Sequence, residues 1–347
     1  MPAAGEAALV ADTRATNARR MLVLLQPSSD IPIAGTAAWL GPRRLNFHLH
    51  VRADEPDDVE RVARTLSGTA IGLVLAGGAA RGFAHLGLHK AMREVGIAID
   101  WIGGTSIGAI MGAAIATGWT PEHAIDIGRA GFTHRNPFGD YTIPLISLVR
   151  GRRMERALAK HLPGKIEDMP LPFFAVSCNL DSGVINLHES GPVRHALRAS
   201  AALPGVMPPA VIAGQLAIDG AVLNNMPVDI MQTKPVGRII AVDLASQKTY
   251  HVPYESMPSP WAVLRGRLLP FLHQYRVPSL TTLMLKATEL GTMARVRELG
   301  KRADLLLQPP VRQFGMMNIK DYDKIVDAGY RYGMDVLPDW KESQRNP

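Results

Sequence analysis

Residues 71–118 read IGLVLAGGAARGFAHLGLHKAMREVGIAIDWIGGTSIGAIMGAAIATG. The first six residues form an unbroken apolar run, suited to a strand buried on both faces. GGAARG (77–82) interrupts it, and FAHLGLHKAMREV (83–95) then has helical periodicity and stops at Gly96. AIDWIG (98–103) predicts the next strand, and SIGAIMGAAIATG (106–118) the next helix, ending at Gly118 before Pro121. Strand, helix, strand, helix at these lengths predict βαβ units and a largely parallel sheet, an α/β fold.

A competing reading covers the second half of the stretch. No residue from Trp101 to Pro121 is charged, and a run of that length crosses a bilayer, which takes ~20 apolar residues. Gly104, Gly108 and Gly112 even repeat at the spacing by which membrane helices dimerise. Against this, adjacent Gly103 and Gly104 are costly inside a helix but natural at a tight turn. No Lys or Arg cluster flanks the run. A helix apolar all round also suits the interior of a large sheet protein, so the expectation is a buried strand, turn and helix.

Within it, GTSIG (104–108) has the form G-x-S-x-G. Gly104 and Gly108 let the chain turn sharply and expose the Ser106 hydroxyl above a helix N-terminus. In a βαβ unit the loops leaving both strands share one edge of the sheet, so the amides of Gly77 to Ala79 can face the carbon that Ser106 attacks. Nucleotide-binding readings of the same loop fail. A dinucleotide fingerprint needs glycine where Ala79 stands, and a Walker loop needs G-K-[ST] where Gly82 is followed by Phe83 and Ala84. Arg81 has the chemistry to meet a phosphate. For a base, AIDGAVLNNMPVD (217–229) places Asp219 at a strand end with Gly220 behind it, and a carboxylate in a dry cleft has a raised pKa. A Ser–His–Asp triad would instead recruit His251 or His273.

Three pieces, GGAARG, GTSIG and DGA, occur in that order, and the chain resembles the patatin-like phospholipases, most of all their neuropathy target esterase branch and its bacterial relatives. GTAAWL (35–40), VRADEPDDVERVARTLSG (51–68), NPFGDYTIPLISLVRGRR (136–153), RASAALPGVMPP (198–209) and DGAVLNNMPVD (219–229) share that likeness, which spans roughly residues 20–335. The resemblance implies a three-layer sandwich whose central, largely parallel sheet is flanked by helices. It implies ester hydrolysis on lysophospholipids or phospholipids, with Ser106 as nucleophile and Asp219 as proton acceptor. Gly77, Gly78, Ala79, Arg81 and Gly82 would form the oxyanion loop, Gly104 and Gly108 the elbow, and no cofactor is required. Ala76, Ala79 and Ala221 depart from it, standing where glycine is frequent.

The remaining chain divides into a flexible tail (1–20), an N-terminal extension (21–70), the catalytic domain (71–245) and a C-terminal helical extension (246–347) that could face lipid. The extension at 21–70 holds strands in MLVLLQP (21–27) and RLNFHLHVR (44–52) and a helix at 55–66. Further strands are expected at FFAVSC (173–178), GVINL (183–187), QLAI (215–218) and RIIAVDL (238–244), and a helix at 192–203.

A hydrophobic share of 47% with 20% charged residues is globular composition. The net charge of +7 has no basic run interleaved with aromatics, so no nucleic-acid partner is expected. Cys178 is the only cysteine, which excludes an internal disulfide and suits a reducing, cytoplasmic setting. The first residues lack the apolar core of a secretory signal. His85 and His89 share a helix face and His48 and His50 a strand face, but neither pair has further ligands at metal-site spacing, so no metal is assigned. The basic, part-apolar stretches 147–160 and 259–276, the latter with Trp261, Leu264, Leu268, Leu269, Phe271 and Leu272 among Arg265, Arg267 and Arg276, fit peripheral contact with a membrane. Oligomeric state is open. Two other classes compete: a catalytically silent lipid-binding module, which would not label at Ser106 with a fluorophosphonate, and a nucleotide-binding regulator using residues 77–82, which nucleotides would stabilise thermally.

Overall fold

In a computed structural model, which describes residues 19–134, 136–244, 254–269, 274, 275, 277, 278 and 280–344, the apolar run after Ala70 is a central strand. The tail 1–18 and His251, Phe271, Leu272, His273 and Arg276 lie outside the described residues. The strands are β1 (Met21–Gln26), β2 (Phe47–Arg52), β3 (Ile71–Leu75), β4 (Trp101–Thr105), β5 (Phe173–Asn179), β6 (Ile185–His188), β7 (Ala210–Ile212), β8 (Gln215–Asp219), β9 (Arg238–Val242) and β10 (Leu305–Leu307). The α-helices are α1 (Thr36–Leu40), α2 (Pro56–Ser67), α3 (Ala84–Val95), α4 (Ile107–Ala116), α5 (Pro121–Arg129), α6 (Arg152–His161), α7 (Val193–Ser200), α8 (Val228–Met231), α9 (Pro260–Leu268), α10 (Leu280–Gly300) and α11 (Tyr322–Ser343).

Successive side chains of a strand point to opposite faces, and β3 shows what each face meets. Leu73 and Leu75 pack into a core shared with α3, α4 and α11. Val74 and the following Ala76 pack on the other side with Phe174, Met226, Met231 and Leu299, beneath α8 and α10. Helices therefore cover both faces of a sheet ordered β10-β9-β3-β4-β5-β8-β7, with β6 also on β5. Pairing is parallel from β10 to β5 and antiparallel among β5, β6, β7 and β8. The uncharged run 101–121 is spent on β4, a turn and the wholly buried α4. Among the described residues no helix is long and apolar enough to cross a membrane.

One feature of the pairing brings two chain ends together. β4 and β6 both pair with Ala175 and Val176, so they hold opposite edges of β5. β8 and β6 both pair with Ser177 and Cys178, so β8 lies on the β4 edge. β4 ends with Thr105 beside Val176, and β8, running the other way, ends with Asp219 beside Ser177. The two strands meet end to end, and the residues just past their carboxyl ends share one place.

Several boundaries differ from the sequence reading. The strand expected from residue 98 starts at Trp101, because Asp100 is buried and used as an acceptor for the Arg64 guanidinium (2.7 Å) and the Ile71 N–H (2.9 Å). The three-residue strands β7 and β10 are too short to show a period. The described residues from 280 onward pack into the main body. β10 extends the sheet beside β9, and Tyr322, Ile325 and Leu337 of α11 lie in the same core as Leu73. At the other terminus β1 and β2 form a separate parallel pair. It is stapled to the main body by the His48 and His50 Nε2 atoms, each 3.0 Å from the Glu167 carbonyl.

Candidate active site

β4 delivers Ser106 in a backbone conformation that residues with side chains rarely adopt, φ 56° and ψ −125°. Such a conformation costs on the order of 1–3 kcal/mol and persists only where the surroundings impose it. Here Gly104 and Gly108 make room for it. A Cβ on Gly104 would lie 2.6 Å from the Gly108 carbonyl carbon, and one on Gly108 would overlap the Leu75 carbonyl. Lacking both, α4 starts flush against β3 and β4, and its first-turn amides, beginning at Ile107, have no intrahelical acceptor.

Ser106 Oγ donates a 2.6 Å hydrogen bond to Asp219 Oδ2. The Ala221 N–H donates to Oδ1 at 2.9 Å, and the Ser106 N–H is held by Ser200 Oγ at 2.9 Å. Asp219 is 1% exposed, and burial pushes its carboxyl up to about 7, against the lowering effect of the Ser106 hydroxyl and the Ala221 amide. A carboxylate tuned there can take and return a proton at neutral pH. Oδ2 occupies the place at Ser106 Oγ that a triad imidazole would need.

The loop after β3 approaches the same point. A Cβ on Gly77 would lie 3.2 Å from Ser106 Cβ and 2.5 Å from Asn225 Oδ1. The Gly77 N–H is already engaged, donating to the Asn225 side chain at 3.1 Å and its carbonyl at 3.2 Å. The Ala80 N–H donates to the Met316 carbonyl at 2.8 Å. Gly78 and Ala79 keep amides with no acceptor among the described residues, and both line a cavity with Ser106 and Asp219. Ala79 sits at φ 51°, a left-handed conformation that glycine would adopt without strain. Arg81 and Gly82 do not line that cavity. The Arg81 side chain is buried, with Nε donating to the Phe314 carbonyl at 2.9 Å and Nη1 3.7 Å from Glu289. The bare Gly82 leaves room for the Ile107 side chain.

From Ser106 the cleft continues into a narrow apolar lobe walled by Phe83, Ile110, Phe132, Phe138, Met154 and Leu203, with a cavity volume of about 50 Å³. Ile110, Phe132 and Met154 separate it from a second apolar cavity lined by Leu86, Met111 and Leu158.

The sequence model of the patatin-like phospholipase family matches residues 73–231, from β3 through α8. The chain carries a patatin-like phospholipase domain. Human patatin-like phospholipase domain-containing protein 6 is 31% identical over 375 residues, 98% of this chain and 27% of its own length. An uncharacterized NTE family protein of Mycobacterium tuberculosis is 37% identical over 278 residues, 79% of this chain and 47% of its own. The lysophospholipase NTE1 of Mycosarcoma maydis is 30% identical over 407 residues, 100% of this chain and 22% of its own. The chain thus spans less than half the length of these relatives.

Around the patatin-like domain's cleft, several positioning residues escaped the motif reading. Asn225 clamps Gly77, and the neighbouring Asn224 carbonyl accepts from Thr105 Oγ1 at 2.9 Å, so the segment after Asp219 is tied to both other motifs. The paired asparagines beside DGA were the available signal. His85 is buried and neutral, its pKa lowered to about 4 by burial, and its Nε2–H donates to the Ala76 carbonyl at 2.9 Å beneath the glycine loop. His89 is buried likewise. Among the described residues no group of three or more His, Cys, Asp or Glu is gathered to hold a metal. On α9, Trp261, Leu264 and Leu268 are exposed beside Arg265.

Proposed function

We propose that the chain is a serine lipid acyl hydrolase that cleaves carboxylic esters of lysophospholipids or phospholipids. The observation that carries this reading is the 2.6 Å Ser106–Asp219 hydrogen bond at the mouth of an apolar lobe. Asp219 takes the Ser106 proton as Oγ forms its bond to the acyl carbonyl carbon. The carbonyl oxygen becomes an anion held by the Gly78 and Ala79 amides, with the first turn of α4 beneath it. Collapse breaks the bond to the leaving alcohol, which receives the proton from Asp219. Water then repeats the sequence on the acyl-enzyme: Asp219 accepts its proton, the fatty acid departs and Ser106 Oγ is reprotonated. No step calls for a metal or cofactor.

The substrate class rests on two supports. The lobe beside Ser106 is apolar and receives an acyl chain rather than a sugar or peptide, and one similar protein is named a lysophospholipase. Fatty-acid release from a panel of lysophospholipids, phospholipids and neutral lipids tests the reading. Ser106→Ala and Asp219→Asn should each lower release by at least about a thousandfold while melting cooperatively. Release that survives either change, or a wild-type protein that neither releases fatty acid nor labels with a fluorophosphonate, would overturn it.

A further inference from the structure

Residues 141–149, YTIPLISLV, fold back on themselves as a finger. Tyr141 bridges Val149 in antiparallel register, the Thr142 N–H donates to the Leu148 carbonyl at 3.1 Å, and the Arg150 N–H donates to the Asp140 carbonyl at 2.9 Å. The fold-back leaves an aliphatic tip with nothing over it: Ile143 is 76% exposed, Leu145 88% and Ile146 74%. Exposed apolar side chains scattered singly are ordinary, but three within four residues at the end of one projection need a partner.

The finger's base identifies that partner's chemistry. The Leu148 and Val149 amides donate to the carbonyls of Gly205 and Val206 at 2.9 and 3.1 Å, and Val206 lines the acyl lobe, as does Phe138 just before the finger. Whatever surrounds the tip therefore adjoins the lobe. A collar of exposed arginines follows, Arg150, Arg152, Arg153 and Arg156. Neither acidic group beside them forms an ion pair with the collar among the described residues: Asp140 accepts the Arg153 backbone N–H at 3.1 Å through Oδ2, and Glu155 pairs with Arg198 at 3.3 Å. An aliphatic tip, interrupted by Pro144, above a cationic collar matches the layering of a lipid interface, where acyl chains lie below anionic headgroups.

We propose that the 141–149 finger inserts into anionic lipid surfaces and sets the mouth of the acyl lobe against the bilayer. The inference rests on the lipid-hydrolase reading for its purpose, but its test does not depend on turnover. Flotation of the Ser106→Ala protein with phosphatidylglycerol-containing vesicles and with pure phosphatidylcholine vesicles measures binding alone. Binding should be at least about tenfold stronger on the anionic vesicles, and Ile143→Asp/Leu145→Asp/Ile146→Asp should lower it at least about tenfold. In a Ser106-intact background the same triple change should leave hydrolysis of a soluble short-chain ester within about twofold, because these side chains contribute nothing to the core. A polarity-sensitive dye on Leu145→Cys, readable because Cys178 is buried, should shift to the blue on the anionic vesicles. Undiminished flotation of the triple variant, or an unshifted dye, would overturn the inference. So would a wild-type dimer that the triple change dissociates without any vesicle binding, since the tip would then be covered by a second copy. Failure of the function itself would appear separately, as vesicle binding without ester hydrolysis.

Discussion

Asp219 answers two opposed demands, and pH separates them. As a base it must be ionised, so hydrolysis should rise about tenfold per pH unit below about 7 and level off above it. As a buried group it is more stable protonated. Its folded pKa of about 7 exceeds the unfolded ~3.9, so between those values the folded state binds the extra proton. Stability from this group is therefore full below about 4 and falls by about 1.4 kcal/mol per pH unit up to about 7. His85, His89 and His188, each lowered to about 4 mainly by burial, act in the opposite direction, stabilising more as pH rises toward ~6.5. Melting temperatures of wild type and Asp219→Asn, subtracted at each pH, cancel the histidines. Asp219→Asn should melt higher at pH 8, with the difference shrinking toward pH 4. A pH-independent difference would show that burial does not raise this carboxyl. Strain at Ser106 has its own readout. Ser106→Gly and Ser106→Ala both remove the hydroxyl, but only glycine relaxes at φ 56°. Ser106→Gly should be the more stable by about 1 kcal/mol in denaturant titration, and equal stabilities would mean the elbow is unstrained.

At the scale of elements, the stretch 71–118 was legible because its signals are local. An apolar run, two glycine breaks and a 3.6-residue period each arise within a few neighbours. The ambiguity with a membrane span arose for the same reason: Gly104, Gly108 and Gly112 mark close approach, whatever it is that approaches. The structure distinguishes among them. A Cβ on Gly108 would meet the backbone of β3, which cannot yield, whereas one on Gly112 would lie 3.0 Å from the Ile102 side chain, which can. Gly108→Ala should therefore cost about 3 kcal/mol and lift α4 away from the glycine loop, lowering hydrolysis with stability. Gly112→Ala should cost about 1 kcal/mol or less, since the gain in helix propensity offsets the crowding. Urea midpoints and ester hydrolysis on the two variants measure this. Equal costs would mean that α4 does not press on the sheet through Gly108.

At the scale of the molecule, the meeting of Ser106 with Asp219 was expected from the order of the three motifs and the resemblance they carry, not from any local pattern. It depends on β8 running antiparallel along the edge of β5 that β4 also uses, a choice no local pattern encodes. The Asn225 clamp on Gly77 joins residues 148 positions apart, and the paired asparagines beside DGA were its one local sign. The limits of the folding unit were hidden. Tyr322 of α11 packs tilted against Phe83 with ring centroids 4.5 Å apart and donates its hydroxyl hydrogen to the Ile125 carbonyl at 2.8 Å. A Cβ on Gly87 would overlap the Val326 carbonyl, so α3 and α11 touch backbone to backbone. Tyr322, Ile325, Val326 and Leu337 are all buried, and at about 1.5–3 kcal/mol each their burial rivals the whole net stability of a domain, roughly 5–15 kcal/mol. Removing everything after residue 245 strips that face from α3 and also leaves β9 an open edge. Residues 71–245 alone should therefore form a protease-sensitive chain that neither melts cooperatively nor labels at Ser106. The full chain should yield a resistant core in limited proteolysis that retains both β3 and α11. A 71–245 fragment that folds and hydrolyses esters would show instead that α11 is dispensable to the sandwich.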